Sequence, residues 1–203
     1  DTGFPPSLNL TMPAGFTVKD TLWPAPKRYS SPGEILDYIY EKDVLLLIPV
    51  EVPGDAAGQN VVIRLDSRWL VCKEACIPGD GSAELAIPVA PRGAAPAAGE
   101  HAPLFAAMRE RLPKPIADSR GTVRAQAKGG ELRIEAPGAE SIAYFPAADS
   151  TGLARPLAEG AVKGGTLIAR LSDPAPGVPV EGVVEVVLPG KKPVYYALKS
   201  RAD

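Results

Sequence analysis

The chain has 203 residues, with 22 Lys plus Arg against 24 Asp plus Glu, a single histidine and a net charge of −2. That length suits one large domain or two small ones. No basic surplus exists to neutralise phosphates or hold an anionic bilayer, so neither nucleic-acid binding nor polybasic membrane adhesion is supported. Glycine and proline are abundant, at 20 and 23 residues, and they punctuate short apolar runs in the manner of an all-β protein. Only residues 91–100 concentrate them enough to read as a linker. No stretch approaches the ~18 apolar residues of a transmembrane helix. The chain begins at Asp1, with no initiating Met and no signal peptide, and is expected to be a processed chain or a fragment.

In chain order, residues 1–33 carry Pro5, Pro6, Pro13, Pro24, Pro26 and Pro32. Each fixes φ and removes a donor, so irregular chain with short edge strands is expected. Phe16, Val18, Leu22 and Trp23 are its core anchors. Residues 43–52 (DVLLLIPVEV) read as the clearest strand, ended by Pro53-Gly54-Asp55. Residues 60–65 alternate Val61, Ile63 and Leu65 against Val62 and Arg64, the period of a half-buried strand, and residues 69–72 continue it. Ile77-Pro78-Gly79-Asp80-Gly81 reads as a turn, and residues 83–89 again alternate. Leu104, Phe105, Met108 and Leu112 recur at helical spacing between Pro103 and Pro113, which predicts one short helix over 103–112 with Phe105 and Met108 on its buried face. Strands are expected over 122–127, 131–136, 141–146, 166–171, 182–188 and 193–199, a second β-sandwich. Tyr195 and Tyr196 should point to opposite faces of the last of these. The whole is expected as two β-sandwich domains, 1–115 and 120–203, joined by the Pro/Ala/Gly-rich linker and the helix. The second half carries no cysteine, histidine or phosphate-binding loop.

The chemistry lies in Trp69-Leu-Val-Cys72-Lys-Glu-Ala-Cys76-Ile-Pro78. Two cysteines are too few for a disulfide-stapled mini-domain, and three readings of the pair compete. As a structural disulfide, so short a loop would stabilise by roughly 2 kcal/mol, which a chain of this size hardly needs. As a metal site, zinc wants four ligands, whereas Cu(I) accepts fewer and softer ones. The spacing matches the copper site of the Sco-type chaperones, but the βαβ alternation of their thioredoxin-like fold is absent. As a redox pair, the two thiols must meet and one must be reachable. Helical i, i+4 spacing holds Cβ atoms about 5–6 Å apart, against the ~3.8 Å a disulfide needs, so the pair belongs on a strand end or tight turn. Lys73 would lower a neighbouring thiol pKa and Glu74 would raise it.

Residues from about 20 to 90 resemble the N-terminal periplasmic domain of the thiol:disulfide interchange protein DsbD family, and within it the ScsB (suppressor of copper sensitivity) type. The resemblance rests on Trp23-Pro24-Ala25-Pro26, on residues 38–52 (YIYEKDVLLLIPVEV), on the cysteine segment, and on Ala83-Glu-Leu-Ala-Ile-Pro88, in that order. It implies an immunoglobulin-like fold, extended to the second half by architecture. It implies a periplasmic location, as the soluble domain of an inner-membrane protein with a membrane domain following. Electrons would reach the Cys72–Cys76 disulfide from the membrane-embedded reductase domain and leave to soluble thioredoxin-fold partners, without a cofactor. By position Cys76 would be the attacking thiol and Cys72 the resolving one. Asp37, Tyr38 and Tyr40 fall nearest the family's aromatic cap loop, although ordinary packing also accounts for the two tyrosines. The longer DsbD motif spaces its cysteines further apart than here. A Cu(I)-binding role for the same two cysteines, and a passive interaction module with a structural disulfide, are the alternatives.

His101 precedes the predicted helix and reads as a surface or capping residue, and nothing pairs it with a cysteine for hydrolysis. Trp69 alternates with Val71 and reads as core packing.

Overall fold

The computed structural model describes residues 5–31, 33, 35–73, 75–95 and 98–203. Pro32, Glu74 and the Pro96–Ala97 stretch of the linker lie outside these. In chain order come β1 (Ser7–Thr11), β2 (Thr17–Val18), β3 (Lys27–Ser31), β4 (Ile35–Ile39), β5 (Val50–Glu51), β6 (Asn60–Cys72) and β7 (Cys76–Pro88). Helix α1 (Ala102–Arg109) follows, then β8 (Lys114–Pro115), β9 (Arg124–Lys128), β10 (Glu131–Glu135) and β11 (Ser141–Pro146). The chain ends with the short helix α2 (Pro156–Glu159), β12 (Ala161–Lys163), β13 (Thr166–Arg170), β14 (Pro179–Val187) and β15 (Val194–Arg201). The protein is all-β, as its alternating sequence predicts.

Two compact units form, one from residues 1–22 and 47–101, the other from residues 23–46 and 102–203. The expected domains, 1–115 and 120–203, follow the chain. Contacts follow space, and put residues 23–46 and α1 with the second unit. The chain leaves and re-enters the first unit at one bridge, where Leu22 N–H donates to the Leu47 carbonyl at 2.7 Å.

The first unit is a three-stranded antiparallel sheet, β1-β6-β7, with a two-stranded β2-β5 pair. β6 and β7 pair over their whole length, from Asn60–Pro88 to Cys72–Cys76. β1 covers the other edge of β6 only from Arg64 to Arg68. Residues 43–52 do not make one strand. Leu47 bridges Leu22 and only Val50–Glu51 pairs, because Pro49 lacks an N–H and its carbonyl accepts from Lys19 N–H at 2.9 Å. The turn expected over 77–81 is instead strand. Pro78 is tolerated because β7 is an edge, and the two glycines lie beneath Trp69, described below.

The second unit is a sandwich of β13-β10-β9 on β12-β11-β14-β15-β8. Its core comes from alternate residues of both sheets: Leu132, Ile134, Ile142, Tyr144, Leu167, Val180 and Val184 are all essentially inaccessible. The Tyr144 hydroxyl donates to the Glu181 carbonyl at 2.8 Å, which satisfies its one buried polar group. Tyr196 packs on this core while Tyr195, on the opposite face, pairs across to Glu185. Helix α1 differs from expectation. Met108 is 2% exposed, but Leu104 and Phe105 are 53% and 45% exposed, so only its C-terminal turn meets the core.

Candidate functional site

The β6–β7 hairpin ends in a disulfide between Cys72 and Cys76, whose Cα atoms lie 4.1 Å apart. Its position on the ladder explains the short separation. Lys73 N–H donates to the Ala75 carbonyl at 3.3 Å beyond one end, and Val89 N–H to the Gln59 carbonyl at 2.8 Å beyond the other. Both bonds fall on odd-numbered residues of the β6 side, so the even-numbered rung of Cys72 and Cys76 is a non-hydrogen-bonded pair, the closer kind in an antiparallel ladder. The pair therefore sits on strand ends joined by a tight turn, as its i, i+4 spacing requires.

Period-2 alternation sorts the hairpin's side chains. Cys72 and Cys76 share one face with the rungs Leu70–Pro78, Arg68–Asp80, Asp66–Ser82 and Arg64–Glu84, and Arg64 pairs with both Asp66 and Glu84. Ser7 and Asn9 of β1 extend this polar face. The other face carries Val61, Ile63, Leu65, Trp69 and Val71, with Leu8 and Leu10 beside it. It is buried at its base, where Val61 is 6% exposed, and open at its tip, where Val71 and Ile77 are 58% and 66% exposed. Both cysteines are themselves exposed, as is Lys73.

The N–H and C=O of Cys76 point away from β6, toward an edge with no further strand among the described residues. On the other edge of β6, β1 pairs only as far as Arg68, four residues short of Cys72.

Asp37, Tyr38 and Tyr40 lie on β4 and just past it, within the second unit. There the β3–β4 hairpin covers Phe145 on the outer face of the five-stranded sheet. The Tyr38 ring meets Phe145 edge-on at 5.6 Å, and Arg28 donates to the Pro156 carbonyl at 2.8 Å. Burial pushes the Tyr38 phenol upward, against the opposing pull of Arg28. Asp37 accepts from the Ser31 hydroxyl at 3.4 Å. Tyr40 donates to the Pro24 carbonyl at 2.7 Å and stacks on Trp23 at 6.2 Å. Burial lifts its pKa to about 12. Each of these side chains thus has a packing partner inside its own unit. His101 is exposed beside Glu100. Among the described residues no group of three or more His, Cys, Asp or Glu side chains is placed to hold a metal ion, and no helix is long and apolar enough to cross a membrane.

One further residue escaped the sequence reading. Trp69, read as core, instead lies across Gly79 and Gly81 of the neighbouring strand. The signal was present, since two glycines spaced by two in a strand opposite an aromatic mark a side chain lying on bare backbone.

No curated protein sequence matches the chain. In fold it is similar to the crystal structure of the N-terminal periplasmic domain of ScsB from Proteus mirabilis, with a TM-score of 0.56 and 14% identity over 100% of this chain and 78% of that one. The family described as thiol:disulfide interchange protein DsbD, N-terminal, matches residues 4–88, which hold every strand of the first unit and both cysteines. Residues 4–88 thus match the DsbD N-terminal family, and the matched stretch includes the disulfide at the hairpin tip.

Proposed function

We propose that the Cys72–Cys76 pair is a reversible two-electron carrier in a periplasmic protein-disulfide reductase domain. It takes electrons from a membrane-embedded reductase domain of the same parent chain and gives them to soluble thioredoxin-fold proteins. The observation that carries this reading is a disulfide at the exposed end of an edge hairpin, in a segment of the DsbD N-terminal family.

In the reduced domain the Cys76 thiolate attacks a disulfide sulfur of the partner. A Cys76–partner mixed disulfide forms, and the partner's other sulfur leaves as a thiolate and takes up a proton. The Cys72 thiolate then attacks the Cys76 sulfur and expels the partner's remaining thiolate. The domain is left oxidised and the partner reduced by two electrons. Reduction by the membrane domain's dithiol runs the same steps in reverse. Displacement at sulfur is in line, so with the Cys72–Cys76 bond crossing the ladder the third sulfur approaches or leaves beyond β7. That edge is free along the whole of β7 among the described residues, whereas β6 has β1 on its other edge from Arg64 to Arg68. This asymmetry supports Cys76 as the sulfur that meets the partner.

The test is trapping. The Cys72→Ser variant, incubated with an oxidised thioredoxin-fold protein, should accumulate a mixed disulfide through Cys76, and the Cys76→Ser variant should accumulate far less. Equal trapping by both would remove the division of roles, and trapping by neither would remove the exchange reading.

A further inference from the structure

We propose that Trp69 is the positioning residue of the thiol pair: its indole braces the free end of the β6–β7 ribbon, so that Cys72 and Cys76 stay opposite each other while the disulfide is open. This rests on the exchange reading, because only a pair that opens and closes needs to be held in the open state.

The need for a brace follows from where β1 stops. Its last rung is Ser7–Arg68. From Trp69–Gly79 to Cys72–Cys76 the hairpin continues as two strands, with no third paired to them among the described residues. Such a ribbon is marginal in water. The apolar rung Val71–Ile77 adds little, being mostly exposed on both sides. Once the sulfur–sulfur bond opens, no covalent link remains across this stretch apart from the turn itself.

Trp69 supplies what is missing. A Cβ at Gly79 would lie 2.7 Å from its Nε1 and 2.8 Å from its Cε2, and one at Gly81 would lie 3.3 Å from its Cη2. The indole therefore spans two successive positions of its side of β7, in contact with backbone that any other residue would cover. It is half-buried although Arg68 before it and Val71, next along the same face, are exposed. The contact joins the last three-stranded rungs to the two-stranded tip, three residues before Cys72. Disulfide formation depends on how much of the reduced population holds the two thiols in register. Loss of the brace lowers that fraction, makes the disulfide less favourable and raises the reduction potential.

The experiment equilibrates the full chain in dithiothreitol or glutathione buffers and measures the disulfide equilibrium constant for wild type and four variants. Trp69→Ala should lower that constant about tenfold, a rise of about 30 mV for a two-electron couple. Trp69→Phe, which keeps a ring over the glycines, should restore most of it. Gly81→Ala lifts one edge of the indole without removing it, and should shift the constant in the same direction by less; it serves as the reading should Trp69→Ala fail to fold. Val61→Ala, at the buried base of the same ladder, should lower the unfolding midpoint and leave the constant unchanged. The proposal is overturned if Trp69→Ala and Gly81→Ala keep the wild-type constant, or if Val61→Ala moves it as far as Trp69→Ala does. Because the readout is a shift from wild type, it stands apart from the exchange reading. A wild-type potential in the range of structural disulfides would sink that reading and leave the brace measurable.

Discussion

Cys72 and Cys76 face each other on a rung whose backbone groups take no part in the β6–β7 ladder, with their Cα atoms 4.1 Å apart. The hydrogen bonds on either side belong to the neighbouring rungs. Opening the sulfur–sulfur bond therefore breaks no ladder hydrogen bond at the cysteines themselves. The proposed exchange would thus be local chemistry at the end of a strand pair rather than a rearrangement of the sheet.

The double variant Cys72→Ser, Cys76→Ser should accordingly fold and lose only modest stability. The chain-entropy argument for so short a loop gives about 2 kcal/mol. Urea denaturation of wild type and variant, both with unchanged far-ultraviolet circular dichroism, checks this. A loss several times larger would make the disulfide a structural staple.

Two glycine substitutions should differ in cost. At Gly79 a methyl group would sit 2.7 Å from the Trp69 indole, and at Gly81 3.3 Å. Gly79→Ala must displace the ring and is expected to cost about 1–3 kcal/mol, as overpacking does. Gly81→Ala needs only a small adjustment and should cost clearly less. Denaturation midpoints of the two variants, with tryptophan fluorescence as the probe, measure both the ranking and the ring movement.

How far the sequence carried this account differs from one segment to the next. The six longer strands after residue 120 were legible because turn residues separate them, and residues 141–146 are β11 without adjustment, whereas the short β8 and β12 and the β3–β4 hairpin were not foreseen. The position of the cysteines at strand ends followed from i, i+4 spacing and bond lengths alone. Residues 77–81 were misread because Pro-Gly-Asp-Gly is turn chemistry locally, and only the cross-strand register brings Trp69 over the glycines and leaves Pro78 on an edge. The run at 43–52 was misread as one strand because apolar periodicity does not reveal where a chain passes between units, and here it passes at Leu47. Leu104 and Phe105 have the spacing of a buried stripe, but only one turn of their helix reaches the core.

The β3–β4 hairpin is tied to its unit through Arg28, whose guanidinium donates to the Pro156 carbonyl at 2.8 Å. Arg28→Ala removes that bond and is expected to cost about 1 kcal/mol, felt locally. Hydrogen exchange should show faster exchange for amides of residues 27–39 and unchanged protection in β10 and β14. Uniform loss of protection across the unit would contradict a local role.

Tyr144 makes the second unit sensitive to alkali. Burial is the main cause that lifts its phenol pKa from 10.0 to about 12, against a hydrogen bond with Ser150 that lowers it. The folded value lies above the unfolded one, so the contribution to stability is whole below about pH 10 and is lost as pH rises toward 12. Tyr144→Phe should cost about 1–2 kcal/mol near neutral pH, through the lost bond to the Glu181 carbonyl. It should also flatten the decline in stability above about pH 10 relative to wild type. Denaturation curves on both sides of that pH test the two effects together.

The central claim is that the pair cycles, and the reduction potential of Cys72–Cys76 tests it most directly. Wild-type protein is equilibrated in graded glutathione or dithiothreitol buffers and its free thiols are trapped and counted. Exposed exchange-active disulfides lie above about −300 mV and structural ones below it. The account predicts a value above that line. A value well below it would make the bond structural, and the match of residues 4–88 to the DsbD N-terminal family would then not extend to exchange chemistry.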